Sequence, residues 1–224
     1  MSKTVLILGG GIGGLVTANL VRKALPKEHR VVLVEREADF VFAPSLLWLM
    51  TGGRTAEKIS RPLARLSKKG IEVIRGEIER VDAERKEAVA NGRTLGADFL
   101  VLALGAELAP ELVPGLAQAG HTFYTLAGAQ GLRDALDAFE GGRLVVLTAA
   151  PLYKCPAAPY EAAMLLEAHL RKRKLSGVSQ IDLYAAEPGP MGVAGPEVSK
   201  AVRQMVEAKG VTYHPEHQLT AVDL

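Results

Sequence analysis

The apolar positions of this chain switch repeatedly between unbroken runs, helical spacing and strict alternation, and each switch predicts an element. Val5-Leu6-Ile7-Leu8 is an unbroken aliphatic run, as expected of a strand buried on both faces. Gly9-Gly10-Gly11-Ile12-Gly13-Gly14 separates it from an apolar stripe at Leu15, Ala18, Leu20 and Val21 that predicts a helix. A second strand, Val31 to Val34, ends on Glu35. Residues 55–69 are charged and amphipathic and predict a helix, or part of one, with Ile59, Leu63 and Leu66 inward. Ile71 to Ile74 alternates as a strand, with Gly76-Glu77-Ile78 just after it. Residues 79–89 alternate again and turn at Asn91-Gly92, a hairpin signal. Residues 97–105 predict a continuous buried strand ending in a glycine turn.

The second half repeats the alternation of strand and helix. Pro110, Pro114, Gly115, Gly120 and Gly128 break up residues 106–128, which read as a crossover between domains. A helix over 129–140, with Leu132, Ala135, Leu136 and Phe139 inward, precedes a strand from Arg143 to Leu147. A helix from about 160 to 174, a strand over 180–185, a turn at Glu187-Pro188-Gly189-Pro190 and a helix over 196–209 follow. Glu167 and His169 are assigned to the surface of the first of these helices, and Arg171 to Lys174 to its solvated end. Residues 211–224 begin as a strand and stop without a packing partner.

The opening order of strand, glycine turn, helix, strand and acid is the dinucleotide-binding fingerprint. Gly9 permits a tight turn off the strand, and Gly11, without a Cβ, lets a pyrophosphate approach the backbone. Gly14 lets the helix press on the sheet. The free N–H groups and the positive dipole end of the helix favour phosphate, and Glu35 can accept hydrogen bonds from a ribose. A carboxylate there makes a 2′-phosphate, and so NADP, the poorer fit. The fold class predicted is α/β, a Rossmann-like FAD/NAD(P)-binding fold of two three-layer domains. The first (1–108) carries a small antiparallel crossover sheet. The second (109–224) is a nucleotide-domain-like unit that lacks a glycine-rich turn and reads as truncated.

Composition narrows the function classes. The chain has 224 residues, 48% hydrophobic and 23% charged, the balance of a soluble globular protein. A net charge of +2 gives no reason to expect nucleic acid or an anionic membrane as partner. One cysteine excludes an intrachain disulfide and a cysteine-rich metal cage, and points to a cytosolic or disulfide-independent protein. Leu46 to Met50, the densest apolar run, is far too short to span a bilayer. It follows Phe40-Val41-Phe42-Ala43-Pro44-Ser45 and reads either as core or as a surface against a flat cofactor ring. Lys3 precedes an apolar stretch, but the glycines argue against a signal peptide. His214 and His217 are separated by a proline-containing segment without a third ligand nearby, so no metal site is predicted.

After Leu147, where a second dinucleotide site would need glycines, the chain reads Thr148-Ala149-Ala150-Pro151-Leu152-Tyr153-Lys154-Cys155-Pro156-Ala157-Ala158-Pro159-Tyr160-Glu161. This unit is therefore not expected to bind NAD tightly. Cys155 lies just before a helix and beside Lys154, and both features favour a thiolate, while the flanking prolines stiffen the loop. The competing reading is a small buried hydrophobe. Glu161 either complements the helix dipole or handles a proton near Cys155.

The run from Tyr153 through Cys155 to Met164 resembles the redox-cysteine segment of sulfide:quinone oxidoreductases and flavocytochrome c sulfide dehydrogenases, FAD enzymes of the pyridine nucleotide-disulfide oxidoreductase superfamily. The glycine turn with Glu35 is similar to their FAD site, residues 98–105 to a second FAD-contacting strand, and Phe42 to Ser45 to the segment beside the isoalloxazine ring. The resemblance implies non-covalent FAD held by Gly9, Gly11, Ile12, Gly13, Gly14, Glu35 and Arg36, with Pro44, Ser45, Glu77, Ile78, Ala103, Leu104 and Gly105. It implies Cys155 and Glu161 as catalytic residues and oxidation of sulfide or a small sulfur species, with electrons passing to a quinone or cytochrome. The family's partner cysteine is absent, and so is its C-terminal half, which carries membrane-docking helices. A cytoplasmic or peripheral membrane location is implied, and a homo-oligomer is left open. Two other readings remain at this point: an NADH:quinone-type flavin oxidoreductase, and a non-catalytic nucleotide-binding or persulfide-carrying fragment.

Overall fold

In the computed structural model, which describes residues 1–151 and 153–223, the chain forms two compact units. The first comprises Met1–Phe42 and Ser60–Glu107, the second Ala43–Ile59 and Leu108–Leu224. Leu152, in the cysteine loop, and Leu224, at the end of the final segment, lie outside the described residues.

The first unit is built on β1 (Thr4–Leu8), which continues through the glycine turn into α1 (Ile12–Ala24) and β2 (Arg30–Glu35). A short antiparallel pair follows, β3 (Asp39–Val41) with β4 (Ser60–Pro62), then β5 (Glu72–Arg75). β6 (Ile78–Asp82), β7 (Glu87–Ala90) and β8 (Arg93–Gly96) form an antiparallel sheet, and β9 (Phe99–Leu102) ends the unit. The parallel sheet has the order β5-β2-β1-β9, with Val5 opposite Val31 and Phe99. The unbroken aliphatic runs serve both faces. Val5, Ile7, Val31 and Leu33 pack with Ala18 of α1 and with Leu63, Leu66 and Ile71, whereas Leu6, Leu8, Val32 and Val34 pack with Ala88 and Ala90 of β7. The result is three layers: helix, parallel sheet, antiparallel sheet. Full burial of each such leucine or isoleucine contributes about 2 kcal/mol.

Two expectations are corrected in this part of the chain, and a third, for residues 55–69, is narrowed to its partly helical form. Leu20 does not face the core; it is exposed with Ile12 and Val16 along one side of α1, because Ala18 with Leu15 and Val21 already fills the contact with the sheet. Residues 55–69 are not one helix. A four-residue turn of helix, Ala56–Ile59, gives way to β4 and a 3-10 segment, Leu63–Lys69, since Pro62 lacks the N–H an α-helix needs there. Ile59, Leu63 and Leu66 are nevertheless buried. The strand predicted over 97–105 shrinks to β9, and it is not buried: Phe99 is 58% and Leu102 57% exposed, because β9 is the outer strand of the sheet. Asn91 and Gly92 both adopt positive φ, as a two-residue hairpin turn requires.

The second unit contains α2 (Leu46–Met50), α3 (Ala56–Ile59), α4 (Leu116–Ala119) and α5 (Leu126–Ala138). They are followed by β10 (Gly142–Leu147), α6 (Ala158–Lys172), β11 (Ser179–Tyr184), α7 (Pro196–Glu207) and β12 (Thr212–His214). The Thr125 hydroxyl caps α5 by accepting from Gly128 N at 3.0 Å. Strands β10-β11-β12 are parallel and adjacent in that order. Residues 211–214 thus have the partner the sequence reading denied them: Leu183 pairs with Tyr213, and Val211 and Tyr213 are buried. On α6, Glu167 Oε2 and His169 Nε2 are buried rather than at the surface, and burial lowers the His169 pKa.

Asp182, in the middle of β11, is fully buried. It accepts from Arg143 Nε at 2.7 Å and His214 Nε2 at 2.8 Å. The Arg143 bond, opposed by burial and aided by His214, holds its carboxyl down at about 2. A depressed carboxylate pKa stabilises the fold above the unfolded-state value and loses that contribution as pH falls from about 4 towards 2. Because Arg143 is half exposed, the expected contribution is about 1–2 kcal/mol. In urea titrations Asp182→Asn should therefore be less stable than wild type at pH 7, with the gap closing as pH falls below about 4. A gap that stays constant to pH 2 would contradict this assignment.

Candidate nucleotide and thiol sites

At the C-terminal end of β1 the glycines are demanded by the packing. Gly9 has φ +101°, and a Cβ there would stand 2.3 Å from the Ala103 carbonyl oxygen. A Cβ on Gly14 would lie 1.8 Å from the Gly9 oxygen. Gly11 differs, since a Cβ there would meet nothing within 4 Å, so its backbone faces open space. Gly11 is also the N-cap of α1, makes no side-chain cap bond, and leaves the N–H groups of the first turn free for an anion. Glu35 closes the cradle: its Oε2 accepts from Gly10 N at 2.5 Å and its Oε1 from Glu37 N at 3.0 Å.

The other residues named from the sequence take various places. Ala103 joins the cradle through its N–H bond to the Leu8 carbonyl at 2.8 Å, and a Cβ on Gly13 would lie 3.8 Å from its methyl. Leu104 and Gly105 continue as an exposed turn, Gly105 with φ +76°. Arg36 pairs with Glu107 at 3.3 Å. Gly76 N donates to the Glu35 carbonyl at 2.9 Å, which brings exposed Glu77 and half-buried Ile78 to this end of the sheet. Ile12 is half exposed at the helix start. Pro44 and Ser45 belong to the second unit, in a 3-10 turn before α2. Open backbone, unpaired helix-start N–H groups and an acid at the strand end together fit a dinucleotide.

The thiol site lies wholly in the second unit, in the loop from β10 to α6. Cys155 is exposed and holds φ +55°, a left-handed conformation that few non-glycine residues adopt. Its carbonyl accepts from Ala158 N at 3.0 Å, which starts α6. The Tyr124 hydroxyl donates to the Lys154 carbonyl at 2.6 Å, and burial first, then the neighbouring Cys155, push that hydroxyl up to about 12. Glu161 stands in the first turn of α6, where its charge complements the dipole; its carboxylate has no hydrogen bond or ion pair among the described residues.

Sequence reading missed a second carboxylate. Glu187, assigned only to a turn, receives hydrogen bonds on Oε1 from the hydroxyls of Tyr153 and Tyr160, the latter at 2.7 Å. Its Oε2 accepts from the Thr148 hydroxyl at 3.0 Å. Burial, then Glu187, raises the pKa of both tyrosines, so each remains a donor. The available signal was positional: an acid just past the second strand of a β-α-β unit, as Glu35 closes the first.

The chain as a whole is similar to known proteins. Residues 3–223 match the family model for pyridine nucleotide-disulphide oxidoreductases. The chain is 31% identical over 210 residues to the sulfide-quinone reductase of Aquifex aeolicus, covering 89% of this chain and 47% of that one. It is 32% identical over 145 residues to the demethylphylloquinone reductase NdbB of a Synechocystis strain, covering 61% of this chain and 36% of the relative. The crystal structure of the Aquifex aeolicus sulfide:quinone oxidoreductase superposes with a TM-score of 0.88 at 26% identity, over 99% of this chain and 53% of that one. The chain thus spans about half the length of the Aquifex relative, and no described helix is long and apolar enough to cross a membrane. Because that family model covers residues 3–223, nearly the whole chain, the chain belongs to the pyridine nucleotide-disulphide oxidoreductase family.

Proposed function

We propose that this chain is the nucleotide-binding and sulfur-handling part of an FAD-dependent oxidoreductase that oxidises sulfide and passes the electrons to a quinone. One observation carries the reading: where the second unit would need a glycine turn for NAD, it presents an exposed cysteine, Cys155, on a loop fastened by tyrosine hydroxyls. The likeness to the Aquifex aeolicus sulfide-quinone reductase supports the same substrate pair.

In this reading the N–H groups after Gly11 would hold the FAD pyrophosphate and Glu35 the adenosine ribose. Bound FAD supplies a two-electron acceptor for the sulfur. Cys155 receives the sulfane sulfur of the oxidised sulfide as a persulfide, and Glu161 manages the proton at the start of α6. Glu77, Ile78, Ala103, Leu104 and Gly105 of the same unit complete the cofactor contacts.

Reconstitution with FAD and anaerobic addition of sulfide or NADH tests the proposal. Bleaching of the flavin band by sulfide and not by NADH supports it. Bleaching by NADH alone would transfer the chain to the NADH:quinone-type flavin oxidoreductases, and the likeness to the demethylphylloquinone reductase NdbB supports a quinone as acceptor in either case. Glu35→Ala is expected to weaken FAD binding about tenfold, read by quenching of flavin fluorescence, because a pair of ribose hydrogen bonds is lost. Unchanged affinity would place the nucleotide elsewhere.

A further inference from the structure

In the first unit the acid that ends the second strand, Glu35, keeps its side chain on backbone N–H groups of the open cradle. In the second unit the corresponding acid is Glu187, and its oxygens are occupied differently. Both are taken up by side-chain hydroxyls of its own unit: Thr148 from the end of β10, Tyr153 from the loop and Tyr160 from the first turn of α6. The Thr148 oxygen in turn accepts from Ala186 N at 3.0 Å, so the carboxylate and the chain that carries it are locked to β10.

The residues Glu187 holds flank Cys155 on both sides. Tyr153 is two positions before the sulfur and Tyr160 five after it, and both converge on one carboxylate oxygen. Tyr124 fixes the intervening Lys154 carbonyl from α5's approach. The backbone of Cys155 is thereby kept in a left-handed conformation that a free loop would leave, since that conformation is unfavourable for a residue with a Cβ. Tyr213, whose ring lies 6.1 Å from that of Tyr160, carries a buried hydroxyl that makes no hydrogen bond to Glu187 among the described residues.

We propose that Glu187 is the positioning residue for Cys155: an acid at a nucleotide-site location that binds tyrosines in place of a ribose and so sets the thiol-bearing loop. The anchoring stands on the geometry alone; its purpose in sulfur chemistry rests on the function proposed above.

Because Cys155 is the sole cysteine, a nitroxide label attaches at that position and no other. Wild type should give the motionally restricted spectrum of an exposed label on an ordered backbone, its immobilised component. Glu187→Ala should shorten the label's correlation time about tenfold, into the range of an unfastened loop. Glu187→Gln, whose amide oxygen still accepts from the two tyrosines, should restore the immobilised component. A wild-type spectrum in a folded Glu187→Ala protein overturns the proposal. If that variant does not fold, Tyr153→Phe/Tyr160→Phe, which keeps both rings, carries the same test, and an immobilised label there overturns it equally. Flavin bleaching by sulfide separates the two layers. Retention of bleaching in Cys155→Ser removes the proposed function and leaves the anchoring intact. Loss in Cys155→Ser with a wild-type rate in Glu187→Ala removes the positioning role, for which a slowing of about 10²-fold is expected.

Discussion

Cys155→Ser is expected to lower the rate of sulfide-dependent flavin bleaching by about 10³-fold or more while leaving FAD content unchanged. Serine is nearly isosteric, and the exposed site imposes no packing demand, so the loop keeps its shape. Tyr124, Tyr153 and Tyr160 bond to the Lys154 carbonyl and to Glu187, not to the cysteine side chain, and the anchors survive. What disappears is the chemistry. A hydroxyl is a far weaker nucleophile than a thiolate and does not form a stable sulfane-sulfur adduct. Stopped-flow absorbance of the reconstituted protein reads the rate directly. Bleaching by the serine variant at the wild-type rate would assign Cys155 a structural role and discard the sulfur-handling reading.

Gly14→Val should be the most damaging single change in the first unit. Even the first atom of the side chain would overlap the Gly9 oxygen, and next to it the Ile7 methyl stands at 3.4 Å from the same point. These are backbone and core atoms, which yield only if α1 lifts from β1. Such overpacking costs about 3 kcal/mol, or about 10 °C in Tm for a chain of this length. Lifting the helix also turns its first N–H groups away from the anion, so FAD binding should fall with stability. Thermal unfolding with and without FAD tests both effects, and a variant melting within a degree or two of wild type would show that α1 rides higher than described. Gly11→Ala is the contrast: nothing within 4 Å opposes its methyl, so stability should be kept while the pyrophosphate's approach is blocked.

The contrast between these glycines explains what the sequence made legible. Several local features were readable: the turn off β1, the acid at Glu35, the hairpin at Asn91-Gly92, the proline-bounded cysteine. Each is specified by neighbours within a few positions, through φ requirements or a period in the apolar residues. The larger failures were non-local. The Glu187 cluster draws on residues 148, 153, 160 and 187, and no spacing in the chain announces that four polar side chains will meet. The prolines around position 189 gave a correct turn and hid the hydrogen-bonded carboxylate of Glu187. β12 looked partnerless because its partner, β11, lies about thirty residues earlier, beyond α7. Residues 97–105 carried the hydrophobicity of a central strand, yet among the described residues β9 has only one neighbour, β1. Apolar content alone does not report whether a strand is flanked on one side or two.

That last strand has a practical consequence for the molecule in solution. Phe99 and Leu102 stand outward on a margin whose peptide groups have no further strand to meet among the described residues, while Ile12, Val16 and Leu20 run along the exposed side of α1. Nature usually blunts such margins with lysine or proline, and neither occurs between Phe99 and Leu102. Concentrated samples should consequently be sticky, and light scattering should rise with protein concentration well before any loss of secondary structure.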